Sequence, residues 1–166
     1  VIDQAAGRVP VVPHVGAMTT KEAVSLAQHA EAAGAAAVMA VAPYYEPLSI
    51  EETKKYFLTV AGSVSVPVIV YNLPVATGVN LTPEHVVDLA RQAGNITHVK
   101  DTTGDLSQAA RLIHDHGDEI KTLVGWDTLF FASLLEGAAG SIVGAANFIA
   151  PELVAIYDAV QAGQIS

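Results

Sequence analysis

The chain contains no cysteine, and this absence removes several kinds of chemistry at once. Disulfide bonds, zinc sites with thiolate ligands and cysteine nucleophiles are all excluded. Positive charge is also scarce: 8 lysine and arginine residues face 17 aspartate and glutamate residues, for a net charge of −9. Such a balance argues against nucleic acid or an anionic membrane as a partner, because both bind a basic face.

Long apolar runs are missing as well, and no segment approaches the roughly 20 residues needed to cross a bilayer. No signal peptide is visible, which favours a cytoplasmic location, and the first residues read as the middle of a longer segment. What the chain does have is 51% apolar composition over 166 residues, enough for one domain with a substantial core.

Six short apolar runs predict strands, and each is followed by a polar turn and a helix. The runs cover residues 9–15, 35–42, 66–71, 96–100, 120–124 and 140–143. Each run is continuously apolar, as expected for strands buried on both faces of a parallel sheet. Helix starts are predicted where capping residues stand, at Thr19, Ser49, Thr82 and Asp105. The sequence therefore predicts an α/β fold with helices covering a parallel sheet.

Polar residues gather directly after each predicted strand, which favours a barrel over a doubly wound sheet. A TIM barrel collects its functional groups at the carboxyl ends of all its strands, whereas a doubly wound sheet uses only its switch point. No Gly-x-Gly-x-x-Gly follows a strand, so a dinucleotide site is not supported. We therefore expect a single (β/α)8 barrel domain over residues 1–166, with about six of its eight units present. The first strands and the C-terminal helices would be lacking, and the two open edges would invite association.

Lys100 is the most unusual residue, because it ends an apolar strand and stands before the polar turn Thr102-Thr103-Gly104. A buried ammonium is costly, so such a lysine is either paired with a carboxylate or kept as a neutral amine. The first possibility makes Asp101 its partner. The second makes Lys100 a nucleophile for a carbonyl carbon.

Three motifs give the chain a clear resemblance to the dihydrodipicolinate synthase / N-acetylneuraminate lyase family of class I aldolases. They are Tyr71-Asn72-Leu73-Pro74, the run from Val99 to Asp105, and the run from Gly137 through Ile142 to Asn147. The segment 8–16 and Pro43-Tyr44-Tyr45 support the match, which covers nearly all of the chain. The resemblance implies a TIM barrel, a lyase that uses no cofactor or metal, and a homo-oligomer, either a dimer or a tetramer.

The resemblance also implies roles for individual residues. Lys100 would form a Schiff base with pyruvate or another 2-keto acid, and Tyr71 would relay protons to the bound intermediate. Tyr45, or alternatively Tyr44, would complete the relay, in some members across a subunit contact. The remaining predicted contacts to the substrate come from Ile142, which packs against the pyruvyl group, and from Thr102, Gly125 and Asp127, with Tyr44 beside them.

Three departures from the family pattern narrow the expected reaction. The Gly-Thr-Thr-Gly-Glu loop that binds the keto-acid carboxylate would lie before Val1, so the chain as given should bind its substrate weakly. Ala76 stands where dihydrodipicolinate synthases carry an arginine, which argues against that reaction. Thr128 and Gly144 replace a glutamate and a serine of sialic acid lyases, which argues against sialic acid.

The reading that remains is an aldolase or dehydratase acting on a 2-keto acid and an aldehyde, for example a 2-keto-3-deoxy sugar acid. Three alternatives stay open: dihydrodipicolinate synthase proper, a catalytically incomplete barrel that serves as an assembly module, and a phosphate-binding barrel that uses residues 144–151. The last would leave Lys100 unexplained.

His98 is a further candidate, since residues two apart on a strand share a face and His98 should lie beneath Lys100. It either fills space as a hydrogen-bonded core histidine or tunes the lysine. The other five histidines show no spacing typical of metal ligands.

Overall fold

The structure is a computed structural model that describes residues 1–164, and its centre is a parallel sheet of five strands in the order β1-β2-β3-β4-β5. The strands are β1 (Val38–Val41), β2 (Val68–Asn72), β3 (Ile96–Asp101), β4 (Lys121–Val124) and β5 (Gly140–Ser141). Sequential neighbours pair in parallel throughout, as successive units of a barrel wall do. The sheet and its helices form a partial TIM barrel.

Helices connect the strands on one face of the sheet. Those of the described residues are α1 (Ile2–Ala5), α2 (Thr20–Ala32), α3 (Ile50–Ala61), α4 (Pro74–Thr77), α5 (Pro83–Gln92), α6 (Leu106–His116), α7 (Phe130–Glu136) and α8 (Ala150–Gln161). Short 3-10 turns cover Asp127–Leu129 and Gly144–Asn147. Thr19, Ser49 and Asp105 cap helices through their side chains, as predicted, since their oxygens accept from backbone N–H groups of the first turn.

Alternation along the strands divides the apolar residues between two faces. Val38, Ala40, Val68, Val70 and Val99 belong to the main hydrophobic core beneath the helices. The residues between them point to the opposite, inner face, the interior of a barrel. The inner face carries Met39, Val41, Ile69, Tyr71, His98, Lys100 and Leu123.

The strand predicted over residues 9–15 is wrong, because this segment makes only one isolated bridge, from His14 to Met39. The segment still runs beside β1: Val15 N donates to Met39 O at 2.7 Å, and Met39 N donates to Pro13 O at 2.9 Å. Pro10 and Pro13 have no N–H group, so a continuous ladder cannot form there.

The predicted strand 140–143 is also shorter than expected, with only Gly140–Ser141 in the sheet. The helix predicted to follow Gly125 is divided into a 3-10 turn and α7. Helices α1 and α4 were not predicted; each is a single turn of four residues, too short to show a hydrophobic period. Within residues 1–164, no helix combines the length and apolar character needed to cross a membrane.

Candidate active site

Lys100 and Tyr71 are neighbours at the carboxyl ends of β3 and β2. They are register partners, and Lys100 Nζ lies 3.8 Å from the centre of the Tyr71 ring. Lys100 is buried, with 8% of its surface exposed. The ring face carries partial negative charge and can stabilise the amine in its charged form without a carboxylate.

The pairing of Lys100 with Asp101 is wrong. The salt bridges of residues 1–164 use other cations, and none joins Lys100 to a carboxylate within 4.0 Å. Asp101 follows Lys100 on the strand, so its side chain points to the opposite face. There Asp101 Oδ1 accepts from Thr103 N at 2.8 Å, and Oδ2 accepts from Gln108 Nε2 at 3.0 Å.

A network of polar side chains, the amide network, lies behind the Lys100–Tyr71 pair; three of its members are buried, and Asn80 is exposed. The network joins Asn72, Asn80, Asp101 and Gln108. Asn72 Nδ2 donates to Asn80 Oδ1 at 3.0 Å, and Asn80 Nδ2 donates to Gln108 Oε1 at 2.9 Å. Asn72 directly follows Tyr71 and is the register partner of Asp101. The network therefore ties the ends of β2 and β3 to each other and to α6, which fixes the relative height of Tyr71 and Lys100.

Replacing Gln108 with leucine is expected to lower the free energy of unfolding by about 2 kcal/mol, since Asp101 and Asn80 each lose a buried partner. Urea unfolding measures the change. The matched control is Gln92→Leu, an exposed residue whose side-chain amide donates to Asp88. Equal stability of the two variants would contradict a structural role for the network.

The pKa of the Asp101 carboxyl is raised, and burial is the largest cause. Its hydrogen bonds to Thr103 and Gln108 lower the pKa but do not outweigh burial. The folded protein therefore holds this proton more tightly than the unfolded chain does. The stability contributed by the protonated group is present at low pH and is lost as pH rises from about 4. We expect the unfolding free energy of the wild type, relative to Asp101→Asn, to fall across this range in urea titrations. A difference that is constant or rises with pH would contradict the raised pKa.

Gly125, which directly follows β4, lies against Lys100 and Thr102. A Cβ atom at this position would stand 1.8 Å from Thr102 Oγ1 and 3.0 Å from Lys100 Cε. Gly125 N also donates to Asp101 O at 2.8 Å, which holds the two strand ends together. Thr102 Oγ1 is buried here and has no hydrogen-bond partner among residues 1–164. Gly125 and Thr102 therefore pack against one side of the Lys100 side chain.

Asp127 and Ile142 lie on the loops after β4 and β5. Asp127 Oδ1 accepts from Ala145 N at 2.9 Å, which connects the two loops. Asp127 was predicted to bind the substrate, but its Oδ1 is occupied by this contact within the protein. Its Oδ2 has no hydrogen-bond partner in the described part of the chain. Ile142 is half-buried, and its N–H donates to Val124 O at 3.0 Å.

Tyr44 and Tyr45 lie on the loop after β1 and are 53% and 84% exposed. The structure therefore leaves the predicted relay partner Tyr45 in solvent, while Lys100 and Tyr71 are brought together. This loop has no secondary structure of its own, so the chain alone does not direct Tyr45 to the site.

His98 lies on the inner face two residues before Lys100, as expected from strand alternation. Its Nδ1 is 2.7 Å from Thr97 Oγ1, so the ring is anchored locally. Burial lowers the pKa of His98, and the neighbouring cation that adds to this effect is Lys121 rather than Lys100.

A second histidine, His14, was missed by sequence reasoning. Its ring meets the Tyr71 ring edge-on, with ring centres 6.3 Å apart and planes at 87°. His14 could have been considered because it lies near the end of the predicted strand 9–15, and the other candidate residues also lie at strand ends.

The whole chain, residues 1–166, matches the family model described as the dihydrodipicolinate synthetase family. The chain belongs to this family. Its synthase-family relatives include 4-hydroxy-tetrahydrodipicolinate synthase of Geotalea daltonii, 39% identical over 165 residues, or 99% of this chain and 57% of that protein. Another relative is the "Probable 2-dehydro-3-deoxy-D-pentonate aldolase YjhH" of Escherichia coli K12, 42% identical over 96% of this chain and 54% of that protein.

Solved structures of the family have the same fold. One is YagE, a prophage protein of the dihydrodipicolinic acid synthase family from Escherichia coli K12, in complex with pyruvate. It superposes with a TM-score of 0.94 at 35% identity and covers 99% of this chain and 56% of its own. The chain thus spans a little over half the length of the family members that it matches.

Proposed function

We propose that the protein is a lyase that forms a Schiff base between Lys100 and the ketone of pyruvate or another 2-keto acid. The observation that carries the proposal is the buried Lys100 amine, which has no carboxylate partner among residues 1–164 and lies 3.8 Å from the Tyr71 ring. Once it has lost its proton, the amine attacks a carbonyl carbon, and loss of water then gives an iminium ion. No further cofactor or metal is required for this chemistry.

The iminium ion draws electrons from the neighbouring carbon–carbon bond. In the cleavage direction, Tyr71 takes the proton of the substrate hydroxyl as its own phenolic proton passes along the relay, the aldehyde leaves, and the electron pair remains as an enamine on the Lys100 adduct. Protonation of the enamine carbon and addition of water release the keto acid and the free amine. The same steps in reverse join a 2-keto acid to an aldehyde.

A 2-keto-3-deoxy sugar acid is our preferred substrate class. The pentonate aldolase of Escherichia coli is 42% identical, and Ala76 removes the arginine expected of dihydrodipicolinate synthases. Synthesis of 4-hydroxy-tetrahydrodipicolinate is the second candidate, favoured by the name of the 39% identical Geotalea daltonii relative.

Substrate cleavage distinguishes these two functions. The full-length protein is incubated with 2-keto-3-deoxy-pentonic acid, and released pyruvate is followed with lactate dehydrogenase and NADH. In parallel, pyruvate is supplied with the aldehyde that the synthases use. Release of pyruvate in the first assay supports the aldolase. Consumption of pyruvate in the second assay, with no release in the first, would assign the synthase. Inactivity in both assays would contradict a catalytic role.

We propose that residues 1–166 belong to a single barrel domain and that the active protein is a homo-oligomer, either a dimer or a tetramer. Support comes from Tyr45, which is 84% exposed and would complete the relay of a neighbouring copy. A cytoplasmic location also stays a prediction. If the chain acts alone, the alternative of a catalytically incomplete assembly module applies, because it spans 57% of its relatives' length.

Tyr71→Phe is expected to keep the Lys100 adduct and to lose turnover by about 10²- to 10⁴-fold, since the ring stays beneath the amine while the relay hydroxyl is removed. Borohydride trapping reports the adduct, and the pyruvate-release assay reports turnover. The control is Tyr56→Phe, whose hydroxyl accepts from Ala17 N and has a structural role. Unchanged turnover in Tyr71→Phe would remove Tyr71 from the mechanism.

A further inference from the structure

We infer that His14 is a positioning residue of the Lys100 site: its ring packs perpendicular to the Tyr71 ring and so keeps the Tyr71 face beneath the amine. This inference rests on the Schiff-base function proposed above. It adds to the site a side chain from the segment before β1, which forms no strand of its own.

The backbone directs His14 to the inner face. Its bridge to Met39 aligns it with the inner-face residues of β1, while the next residue, Val15, is 1% exposed and belongs to the core under the helices. Gly16 leaves space for the His14 ring, since a Cβ atom at Gly16 would stand 2.9 Å from His14 Cε1. The same Cβ would stand 2.7 Å from Val41 N, so the segment packs closely against β1 at this point.

Tyr71 is restrained on two sides by this arrangement. Lys100 Nζ lies over its face at 3.8 Å, and the His14 ring packs against it with planes at 87°. Perpendicular aromatic contacts are favourable and directional, so they oppose rotation of the ring. In the described part of the chain, no hydrogen bond involves the His14 ring, and the contact with Tyr71 is therefore its main specific interaction.

His14 and Lys100 also lie within electrostatic range of each other. Burial lowers the pKa of His14, and the Lys100 cation adds to the effect. The titratable groups that face this region are Tyr71 on β2, Lys100 and His98 on β3, and Lys121 on β4, whereas β1 contributes only Met39 and Val41. The lowered pKa favours the neutral ring, which can lie beside an iminium ion without repelling it.

A crossed titration tests the contact without relying on catalysis. NMR follows the two inner-face histidines of the full-length protein in Lys100→Met and in Lys121→Met. Loss of the Lys100 charge should raise the pKa of His14 and leave that of His98 unchanged. Lys121→Met should raise the pKa of His98 and leave that of His14 unchanged. An unchanged His14 pKa in Lys100→Met would show that the two groups are not neighbours, and it would overturn the inference.

Two substitutions test the positioning role. His14→Ala removes the ring and should lower kcat about tenfold with little change in KM for the keto acid, because a displaced catalytic group slows the chemical step. His14→Phe keeps a ring and should restore kcat to about the wild-type value. Wild-type kcat in His14→Ala would overturn the inference, and so would a His14→Phe variant as slow as His14→Ala.

The controls separate the possible failures. Thermal unfolding confirms that both variants are folded, and His29→Ala, an exposed residue of α2, should change neither kcat nor KM. If the wild type forms no adduct with a 2-keto acid, the proposed function fails. If the wild type forms the adduct and His14→Ala equals it in rate, only the role of His14 fails.

Discussion

Replacing Lys100 with methionine should abolish the covalent adduct with pyruvate and reduce turnover by about 10³-fold or more. The amine is the only group in the proposed mechanism that bonds to the ketone carbon, and a methionine side chain cannot form the iminium ion that serves as the electron sink. Methionine has nearly the length of lysine and fills the same space. The adduct is measured by mass spectrometry after borohydride reduction.

Lys100→Met should not destabilise the protein, although it replaces a buried side chain. Lys100 is 8% exposed and makes no salt bridge among residues 1–164, so the folded protein pays to bury the amine. The free energy of unfolding of Lys100→Met should therefore not fall. The control is Lys21→Met, an exposed lysine in the first turn of α2, which should keep full adduct formation. A folded Lys100→Met variant that still forms the adduct would exclude Lys100 as the nucleophile.

Gly125→Ala should cause the second large loss of stability and of adduct formation, because the added methyl group would overlap neighbouring atoms. It would stand 1.8 Å from Thr102 Oγ1 and 3.0 Å from Lys100 Cε, and the Gly125 N–H bond to Asp101 O holds the strand end in place. Overpacking of this kind costs about 1–3 kcal/mol. Displacement of Lys100 should slow adduct formation by about 10²-fold. Thermal unfolding and the time course of borohydride trapping measure the two effects.

The control for this prediction is Gly144→Ala, a glycine after the next strand, β5. A Cβ atom at Gly144 would meet nothing within 4 Å, so both stability and adduct formation should stay near the wild-type values. A double variant, Gly125→Ala with Thr102→Ala, should recover part of the stability, since it removes the closest atom. Normal trapping in Gly125→Ala would show that Gly125 and Lys100 are not in contact.

The order of strands and helices was predictable because each unit carries its own local signals. Asp105, for example, caps α6 as its sequence context predicts, and β3 ends at Asp101, one residue after the predicted end at Lys100. The segment 9–15 was not predictable in the same way. It has the apolar composition of a strand, but its two prolines remove N–H groups that a ladder needs.

The surroundings of Lys100 depend on contacts between distant parts of the chain. The amide network connects Asn72 with Gln108, and the contact of Thr102 with Gly125 forms only when β3 and β4 pair. Neither is visible in a local pattern. The perpendicular contact of His14 with Tyr71 is of the same kind, because it depends on the register of the first segment against β1.

The most direct test of the Schiff-base proposal is borohydride trapping with pyruvate, followed by digestion and mass spectrometry of the peptide that contains Lys100. The proposal predicts a reduced pyruvyl adduct on Lys100 that is absent without pyruvate and absent in Lys100→Met. A full-length, folded protein that gives no adduct, or that carries the adduct on another lysine, would contradict it.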